Sequence, residues 1–205
     1  MKLNEISTTQ LQEAYISRVQ LRNDIRTYCH QWKRTKTFEQ SVHYIIRRMQ
    51  SWTMYGSMYR ALAFSPRVFF QTHDYRILLS RLQSYALRRN NPTQIFSWSQ
   101  TIDGMITALG TNANSPNNPT KMGASIVIEQ TGPGVDVSAV LATPIELMHG
   151  MFSDEQEVLA PMNNSINLVG FYFNGAFYEY EEYEQFIADV RQKLKSKPQL
   201  PFILP

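Results

Sequence analysis

Three short segments of the chain contain residue types that could act together on one bound molecule. In chain order they hold an arginine, two serines around a tryptophan, and two glutamates separated by one residue: Arg60, Ser97-Trp98-Ser99, and Glu155 with Glu157. A guanidinium is a planar fork of donors that suits a diphosphate, and a hydroxyl can both donate to and accept from a sugar. Carboxylates can stabilise the positive charge that develops when a glycosidic bond breaks. Together the segments predict cleavage of a glycosidic bond on a dianionic cofactor.

Each of these residues also has an ordinary structural interpretation. An isolated arginine is usually a surface residue, and Arg60 taken alone would be one. Serines at strand ends are mostly structural, and two glutamates around one residue fit a solvated edge strand. The order and spacing of the three segments favour the chemical interpretation.

Other common catalytic motifs are missing from the sequence. It contains no Gly-x-Gly-x-x-Gly fingerprint, no Gly-Lys-Ser/Thr phosphate loop and no Gly-x-Ser-x-Gly elbow, which argues against the usual dinucleotide folds, nucleotide hydrolases and α/β-hydrolases. Neither the four scattered histidines nor the single cysteine, Cys29, shows the spacing of zinc ligands. We therefore predict no metal site.

The composition is that of a folded domain. The chain has 205 residues, of which 43% are hydrophobic, and this is enough for one domain with a real core. No apolar run approaches the roughly 18 residues that a membrane helix requires, and the first residues lack the apolar core of a signal peptide. A single cysteine fits a reducing compartment. We expect a soluble, cytoplasmic protein in which Cys29 is a buried, inert thiol.

The charge is divided unevenly along the chain. Residues 1–100 contain 15 of the 20 Lys and Arg and 5 of the 17 Asp and Glu, a balance of +10, whereas residues 101–205 contain 5 and 12, a balance of −7. A basic first half could attract nucleic acid, ribonucleoprotein or an anionic cofactor, and an acidic second half would suit a basic target such as an arginine side chain. Solvated helix faces would also explain both halves.

Hydrophobic periodicity and turn signals predict a chain of mixed helices and strands. Residues 8–50 have the period of two or three helices, with Thr8 or Thr9 capping the first and Thr37 a later one. The remaining predicted elements are a strand at 58–64, a helix at 74–89, a strand at 94–99, a helix at 102–109, a loop at 110–123, strands at 124–130 and 135–140 around a turn at 131–134, strands at 158–160 and within 166–180 with a hairpin at Asn174-Gly175, a helix at 181–195 and an extended tail at 198–205. We divide the chain into an N-terminal helical segment, 1–55, and a core, 56–205, within one compact domain.

The three segments resemble the arginine-serine-glutamate class of mono-ADP-ribosyltransferases. In that pattern an arginine lies on a first strand, Ser-x-Ser on a second strand and Glu-x-Glu before a third strand. The segment Ser153-Asp154-Glu155-Gln156-Glu157-Val158 is particularly similar to the small enzymes that T-even bacteriophages use to modify host transcription and translation machinery. The resemblance covers roughly residues 56–180. It implies an α+β fold in which N-terminal helices pack on two facing, mainly antiparallel β-sheets with an NAD cleft between them.

The resemblance implies cofactor-binding roles for the first two segments. Arg60 would contact NAD. Ser97 matches the first serine of the family's Ser-Thr-Ser segment, Trp98 stands in the place of the threonine, and Ser99 matches the last serine. Ser97 would hold the nicotinamide ribose and hydrogen-bond the catalytic glutamate.

The resemblance implies catalytic roles for the two glutamates. Glu157 would bind a ribose hydroxyl and stabilise the oxocarbenium-like transition state. Glu155 would point to the same side of an extended segment, because side chains alternate with period two, and would orient and deprotonate an incoming guanidinium. In the family, glutamate at that position goes with arginine acceptors. Phe152 occupies the place of an aromatic residue that touches the target protein.

These features together predict mono-ADP-ribosyl transfer from NAD to an arginine of a target protein, such as host transcription or translation machinery, with release of nicotinamide. Two alternatives within enzymes are NAD hydrolysis, with water as acceptor, and transfer to a nucleic acid. A third alternative is a non-catalytic basic module that binds nucleic acid through the first 100 residues, where Tyr28, Trp32 and Arg34 interleave aromatic and cationic side chains. We predict no membrane partner.

Overall fold

A computed structural model of the protein describes residues 16–31, 33–64, 94–113, 124–141, 156–163 and 165–195, together with Ser80 and Ser84. Several sequence predictions lie outside these residues: the caps at Thr8 or Thr9, the helix at 74–89 apart from two positions, the part of the 110–123 loop from residue 114 onward, the tail at 198–205, Trp32, Phe152 and Glu155. The prediction of a loop at 110–113 is wrong, because the helix that begins at Ile102 continues to Ala113.

The described residues form helices and strands in the order expected for an α+β protein. They are α1 (Arg18–Gln31), α2 (Lys36–Arg48), a short 3-10 helix (Gln50–Trp52), β1 (Thr53–Phe64), β2 (Ile95–Ser99), α3 (Ile102–Ala113), β3 (Ala124–Asp136), α4 (Val137–Leu141), β4 (Glu157–Pro161), β5 (Ile166–Phe173), β6 (Ala176–Glu179), a second 3-10 helix (Tyr180–Glu182) and α5 (Tyr183–Lys195). Among the described helices, none is long and apolar enough to span a membrane.

The N-cap of the second helix lies two residues before the predicted one. Thr35 has an extended backbone, and its side-chain oxygen accepts a hydrogen bond from the backbone N–H of Phe38 at 3.0 Å. The prediction that Thr37 caps this helix is therefore wrong. Capping at Thr35 satisfies an orphan donor of the first turn and also places the buried Phe38 ring toward the interior.

The six strands form one antiparallel sheet in the order β1-β2-β4-β3-β5-β6. An additional pairing between β1 and β3, which runs from Thr53 opposite Val135 to Phe64 opposite Ala124, joins the first and fourth strands of that order. Strands β1, β2, β4 and β3 thus form a closed ring. The predicted α+β class with N-terminal helices and an antiparallel sheet is confirmed, and the strands belong to one continuous sheet instead of two separate ones.

Strand β3 is longer than the sequence predicts. It continues through Thr131-Gly132-Pro133-Gly134 to Asp136 and pairs with β1 throughout, so the predicted turn at 131–134 is wrong. Gly134 is required there for close packing, because a Cβ atom added to it would lie 2.4 Å from Cγ1 of Val158. After the strand, Asp136 accepts a hydrogen bond from the backbone N–H of Ala139 at 3.2 Å and begins α4 where the sequence predicts more strand.

Two hydrophobic cores lie on the two faces of the ring. The first core contains Met58, Leu62, Phe96, Trp98, Ala124, Ile126, Ile128, Val158, Ala160, Met162, Phe171, Phe173, Tyr183, Phe186, Ile187 and Val190. The second core contains Leu21, Ile25, Tyr28, Cys29, Phe38, Val42, Ile45, Trp52, Ile95, Val135, Val137, Val140, Leu141 and Leu159. Strands β2 and β4 contribute alternate residues to each core, as period-two strands covered on both faces do. The helices α1 and α2 therefore share a core with the sheet.

The last hairpin follows the sequence prediction closely. Asn174 and Gly175 have positive φ angles of 52° and 93°, as the two central residues of a tight hairpin turn require. Tyr178 of β6 then donates its hydroxyl proton to Asp189 of α5 at 2.8 Å. This bond fixes the helix to the hairpin, and partial desolvation together with Asp189 raises the pKa of Tyr178 to about 12.

Replacing Gly134 by alanine should destabilise the protein by about 1–3 kcal/mol, because the new methyl group overlaps Val158 across the strand pair. Gly132 of the same strand provides the matched control, since a Cβ atom there would meet its nearest neighbour, Asn163, at 3.6 Å. Urea unfolding should show a clear loss for Gly134→Ala and a small change for Gly132→Ala. Equal effects of the two substitutions would contradict the packing requirement.

Tyr178→Phe should lower the free energy of unfolding by about 0.5–1.5 kcal/mol at neutral pH, the usual contribution of one hydrogen bond. The pKa of Tyr178 is raised in the folded state, so its contribution is complete below the unfolded pKa near 10 and is lost as the pH rises toward 12. The difference between wild type and Tyr178→Phe should therefore be constant from pH 7 to 9 and shrink at pH 11. Tyr55→Phe, at a tyrosine that is 66% exposed, should show no such trend.

Candidate functional site

Three sequence segments that predict chemistry lie on three neighbouring strands of the ring. Arg60 is on β1, Ser97 and Ser99 are on β2, and Glu157 is the first residue of β4. Ser99 pairs with Glu157 on one side of β2 and with Tyr59, the neighbour of Arg60, on the other side. We call Arg60, Ser97, Ser99 and Glu157 the candidate site.

Arg60 reaches across to the adjacent strand. Its Nη1 donates a hydrogen bond to the backbone carbonyl of Ser97, and its guanidinium carbon lies 5.3 Å from the centroid of the Phe96 ring. The side chain is half-buried. A half-buried guanidinium that is fixed by a strand and by a backbone carbonyl is held more rigidly than a surface arginine, as binding of a planar oxyanion requires.

Glu157 is a buried carboxylate on an interior strand. The residue is 5% exposed, and β4 lies between β2 and β3. The interpretation of Glu157 as part of a solvated edge strand is therefore wrong. The thiol of Cys29 on α1 lies 3.9 Å from Oε2 of Glu157, within reach of a weak S–H donor bond. Charged side chains are rarely buried, so the 5% exposure of Glu157 makes this carboxylate a candidate functional residue.

The two serines share a face with Glu157, and the tryptophan between them does not. Ser99 is 5% exposed and lies directly opposite Glu157. Trp98 points the other way, into the first core, where its Nε1 donates to the carbonyl of Ala160 at 3.3 Å. The ring of Trp98 thus lies apart from the serine side chains with which it was predicted to bind a cofactor. Its position is explained by packing.

The segment before Glu157 is not extended. Gln156 has a φ angle of 47°, and β4 begins only after it. The premise of an extended segment through Gln156 is therefore wrong. Gln156 instead forms a turn fastened to the end of β2: its carbonyl accepts from the N–H of Gln100 at 3.0 Å, and its side chain accepts from the hydroxyl of Thr101 at 2.6 Å. Glu155 and Phe152 lie outside the described residues.

A fourth element, the end of α1 and the connection to α2, completes the surroundings of the candidate site. Tyr28 is buried, stacks on Phe38 with ring centroids 4.3 Å apart, and accepts a hydrogen bond from Arg34. Burial raises the pKa of Tyr28, and the nearby carboxylate of Glu157 raises it further, while Arg34 opposes both effects. The phenol is therefore neutral at physiological pH and lies between a carboxylate and a guanidinium.

This arrangement weakens the interpretation of the chain as a nucleic-acid module. Tyr28, one of the aromatics proposed to stack on bases, is 3% exposed and already stacked on Phe38. On α1, Arg18 and Arg22 each lie 5.7 Å from the Trp52 ring, and Arg22 donates to a backbone carbonyl of α4. Part of the positive charge of the first half thus holds the helices to the sheet.

The sequence did not indicate that Tyr28, Cys29, Arg34 or Phe96 belongs near the candidate site. Cys29 contacts Glu157 across 128 residues of sequence, and no local pattern encodes such a separation. A signal was present in part, because Phe96 directly precedes Ser97 in the second segment. No family model, curated protein or solved structure matches the chain. The functional interpretation therefore depends on the geometry of these residues.

Proposed function

We propose that the protein transfers a single ADP-ribosyl group from NAD to an arginine side chain of a target protein, releasing nicotinamide. The observation that carries this proposal is the order of the candidate site across β1, β2 and β4. Arg60 and Glu157, which are 97 positions apart, flank the two serines of one short strand. Arg60 stands on the face of β1 that carries Met58 and Leu62, opposite the serine side chains, and its guanidinium reaches β2 at the carbonyl of Ser97. A cation for a diphosphate thus contacts the strand that carries hydroxyls for a ribose beside a carboxylate for the anomeric carbon, and these are the groups that NAD cleavage would use.

Glu157 would stabilise the charge that develops as the glycosidic bond breaks. The bond between the anomeric carbon and the nicotinamide nitrogen breaks with its electron pair leaving on nicotinamide, and positive charge develops on the ribose. A carboxylate in a dry environment stabilises such charge more strongly than it would in water. The burial of Glu157 and its position opposite Ser99 support this role, because the carboxylate is kept from bulk water on a strand next to a hydroxyl-bearing residue.

The acceptor is proposed from Glu155, whose role follows from the family resemblance. Glu155 would hold an incoming guanidinium and accept its proton as a guanidinium nitrogen bonds to the anomeric carbon. In the sequence, Glu155 comes two residues before Glu157, the first residue of β4. A cytoplasmic location would suit modification of transcription or translation machinery.

Glu157→Gln should reduce nicotinamide release from NAD by about a hundredfold or more, because it removes the charge that stabilises the transition state while preserving side-chain shape. High-performance chromatography of nicotinamide after incubation with the pure protein measures this directly. Glu129→Gln, a half-buried glutamate of β3 that pairs with Tyr59 and Asn167, is the matched control and should keep wild-type activity. Undiminished release by a folded Glu157→Gln protein would reject the proposal.

Glu155→Gln should selectively remove ADP-ribosylation of arginine and leave nicotinamide release with water as acceptor. Asp154→Asn changes the adjacent carboxylate and should leave both activities in place. Mass spectrometry of the modified target identifies the acceptor and distinguishes arginine from a nucleobase. If Glu155→Gln lowers both activities equally, separate roles for the two glutamates are unsupported, and if the wild type only hydrolyses NAD, the protein is a glycohydrolase.

A further inference from the structure

A cavity of about 370 Å³ lies between α5 and the turn end of the last hairpin. Phe173 and Ala176 stand opposite each other on the two strands, and Tyr178 follows two positions later on the same face. Because alanine is much smaller than its aromatic neighbours, the space above Ala176 stays open. The volume is in the range of small-ligand sites, and none of the described lining residues belongs to the candidate site.

Asp189 of α5 contributes a carboxylate to the wall of this cavity. Its Oδ2 accepts from the hydroxyl of Tyr178 at 2.8 Å, and its Oδ1 accepts from the side-chain amide of Gln185 at 2.9 Å. Both donors are neutral, and no cationic side chain among the described residues pairs with Asp189. Hydrogen bonds therefore hold the carboxylate in place and leave its negative charge available to a ligand.

The lysine that could neutralise Asp189 is directed elsewhere. Lys193 follows Asp189 by four residues, the spacing at which an acid and a base on one helix commonly form an ion pair. Its ammonium instead donates to Oδ1 of Asn174 in the hairpin turn and lies 5.9 Å from the centroid of the Phe173 ring. The positive charge thus belongs to the turn end of the cavity, and the negative charge belongs to the end beside Tyr178.

The end of the cavity beside Tyr178 suits a planar cation. Each oxygen of Asp189 accepts one hydrogen bond from the protein and retains a further lone pair, and one free lone pair on each oxygen matches the parallel N–H donors of a guanidinium. The rings of Phe173 and Tyr178 provide flat apolar walls on which such a group packs. Desolvation, Asp189 and then Glu182 raise the pKa of Tyr178, and the last two causes show that the field there is negative.

We propose that this cavity binds the guanidinium group of an arginine, with Asp189 as its bidentate partner and the ring of Tyr178 as the surface beneath it. The site is separate from the one proposed to cleave NAD. The cavity adjoins the first core through Phe173, whereas Glu157 contacts Cys29 of the second core. Binding of a guanidinium there does not depend on the proposed function.

The test is an NMR titration of the isotopically labelled protein with N-acetyl-arginine amide, whose only charge is the guanidinium. The backbone signals of Asp189 and Gln192 should shift, with a Kd of about 1 mM or lower. N-acetyl-citrulline amide, the neutral isostere, should bind at least about tenfold more weakly because it cannot form a charge-assisted pair. N-acetyl-lysine amide carries the same charge on a compact ammonium and should bind at least about threefold more weakly. Free arginine distinguishes the source: tighter binding than the blocked form supports a free amino acid as ligand, and weaker binding supports an arginine residue of a polypeptide.

Four variants locate the binding in the cavity. Asp189→Asn preserves the shape of the side chain but removes its charge, and it should weaken binding of the blocked arginine at least about tenfold. Ala176→Leu fills the cavity from an exposed position and should abolish binding in a folded protein. Lys193→Gln removes the cation of the cavity wall and should strengthen binding about twofold, because it removes a repulsion. Glu184→Gln, at an exposed carboxylate of the same helix, is the matched control and should change the Kd less than about twofold.

The outcomes are independent of NAD, so they stand whether or not the protein releases nicotinamide. Wild-type affinity in folded Asp189→Asn or Ala176→Leu would overturn the proposal, as would the absence of any shift in wild type at about 10 mM blocked arginine. Equal affinity for the blocked citrulline or lysine would overturn the choice of a guanidinium. Weaker binding by Lys193→Gln would mean that the ligand contacts the cavity through an anionic or acceptor group at Lys193, which the proposal excludes.

Discussion

The closed ring of β1, β2, β4 and β3 is the constraint on which the rest of the structure depends. Strand β1 pairs with β3 along its whole length, and β2 and β4 complete the ring as a pair. Closing the ring brings together segments that are far apart in sequence, and the entropy lost in doing so must be offset by the two cores that the ring makes possible. Because β2 and β4 are covered on both faces, we expect a polar side chain on either strand to form hydrogen bonds within the protein or to serve a function. Ser99 and Glu157 are such residues.

Ring closure also creates a gap that polar side chains fill. On its outer edge β3 pairs with β5 at 125–130 and with β4 at 135–136. Between these pairings, the buried Gln130 donates to the carbonyl of Pro161 at 2.9 Å and accepts from the N–H of Asn163 at 2.9 Å, and the side chain of Asn163 donates to the carbonyl of Thr131 at 2.8 Å. These bonds replace missing strand pairing where β3 passes from one neighbour to the next.

Local sequence patterns predicted the elements whose conformation is set by neighbouring residues. They failed for elements whose conformation depends on packing against distant parts of the chain. Asn174-Gly175 requires positive φ angles whatever surrounds it, so the hairpin could be predicted. Gly134 carries the same turn signal in the sequence, but its function is to let Val158 approach across β3 and β4, which is visible only once the strands are paired. The candidate site shows the same division. Arg60, Ser97 and Glu157 were found from their order along the chain, whereas Arg34 and Tyr28 depend on how α1 packs against the ring.

The N-terminal helices are consequently part of the site and not an appendage to it. Tyr28 and Cys29 belong to the second core and also surround Glu157, so the forces that fold α1 onto the sheet also position the carboxylate. Ile95 and Leu159 of the sheet share this core with α1 and α2, so the packing of the helices and that of the sheet depend on each other. A protein that buries a glutamate beneath a helix gives up some stability to desolvation. That cost is understandable if the carboxylate must be kept dry and fixed until a sugar develops positive charge beside it.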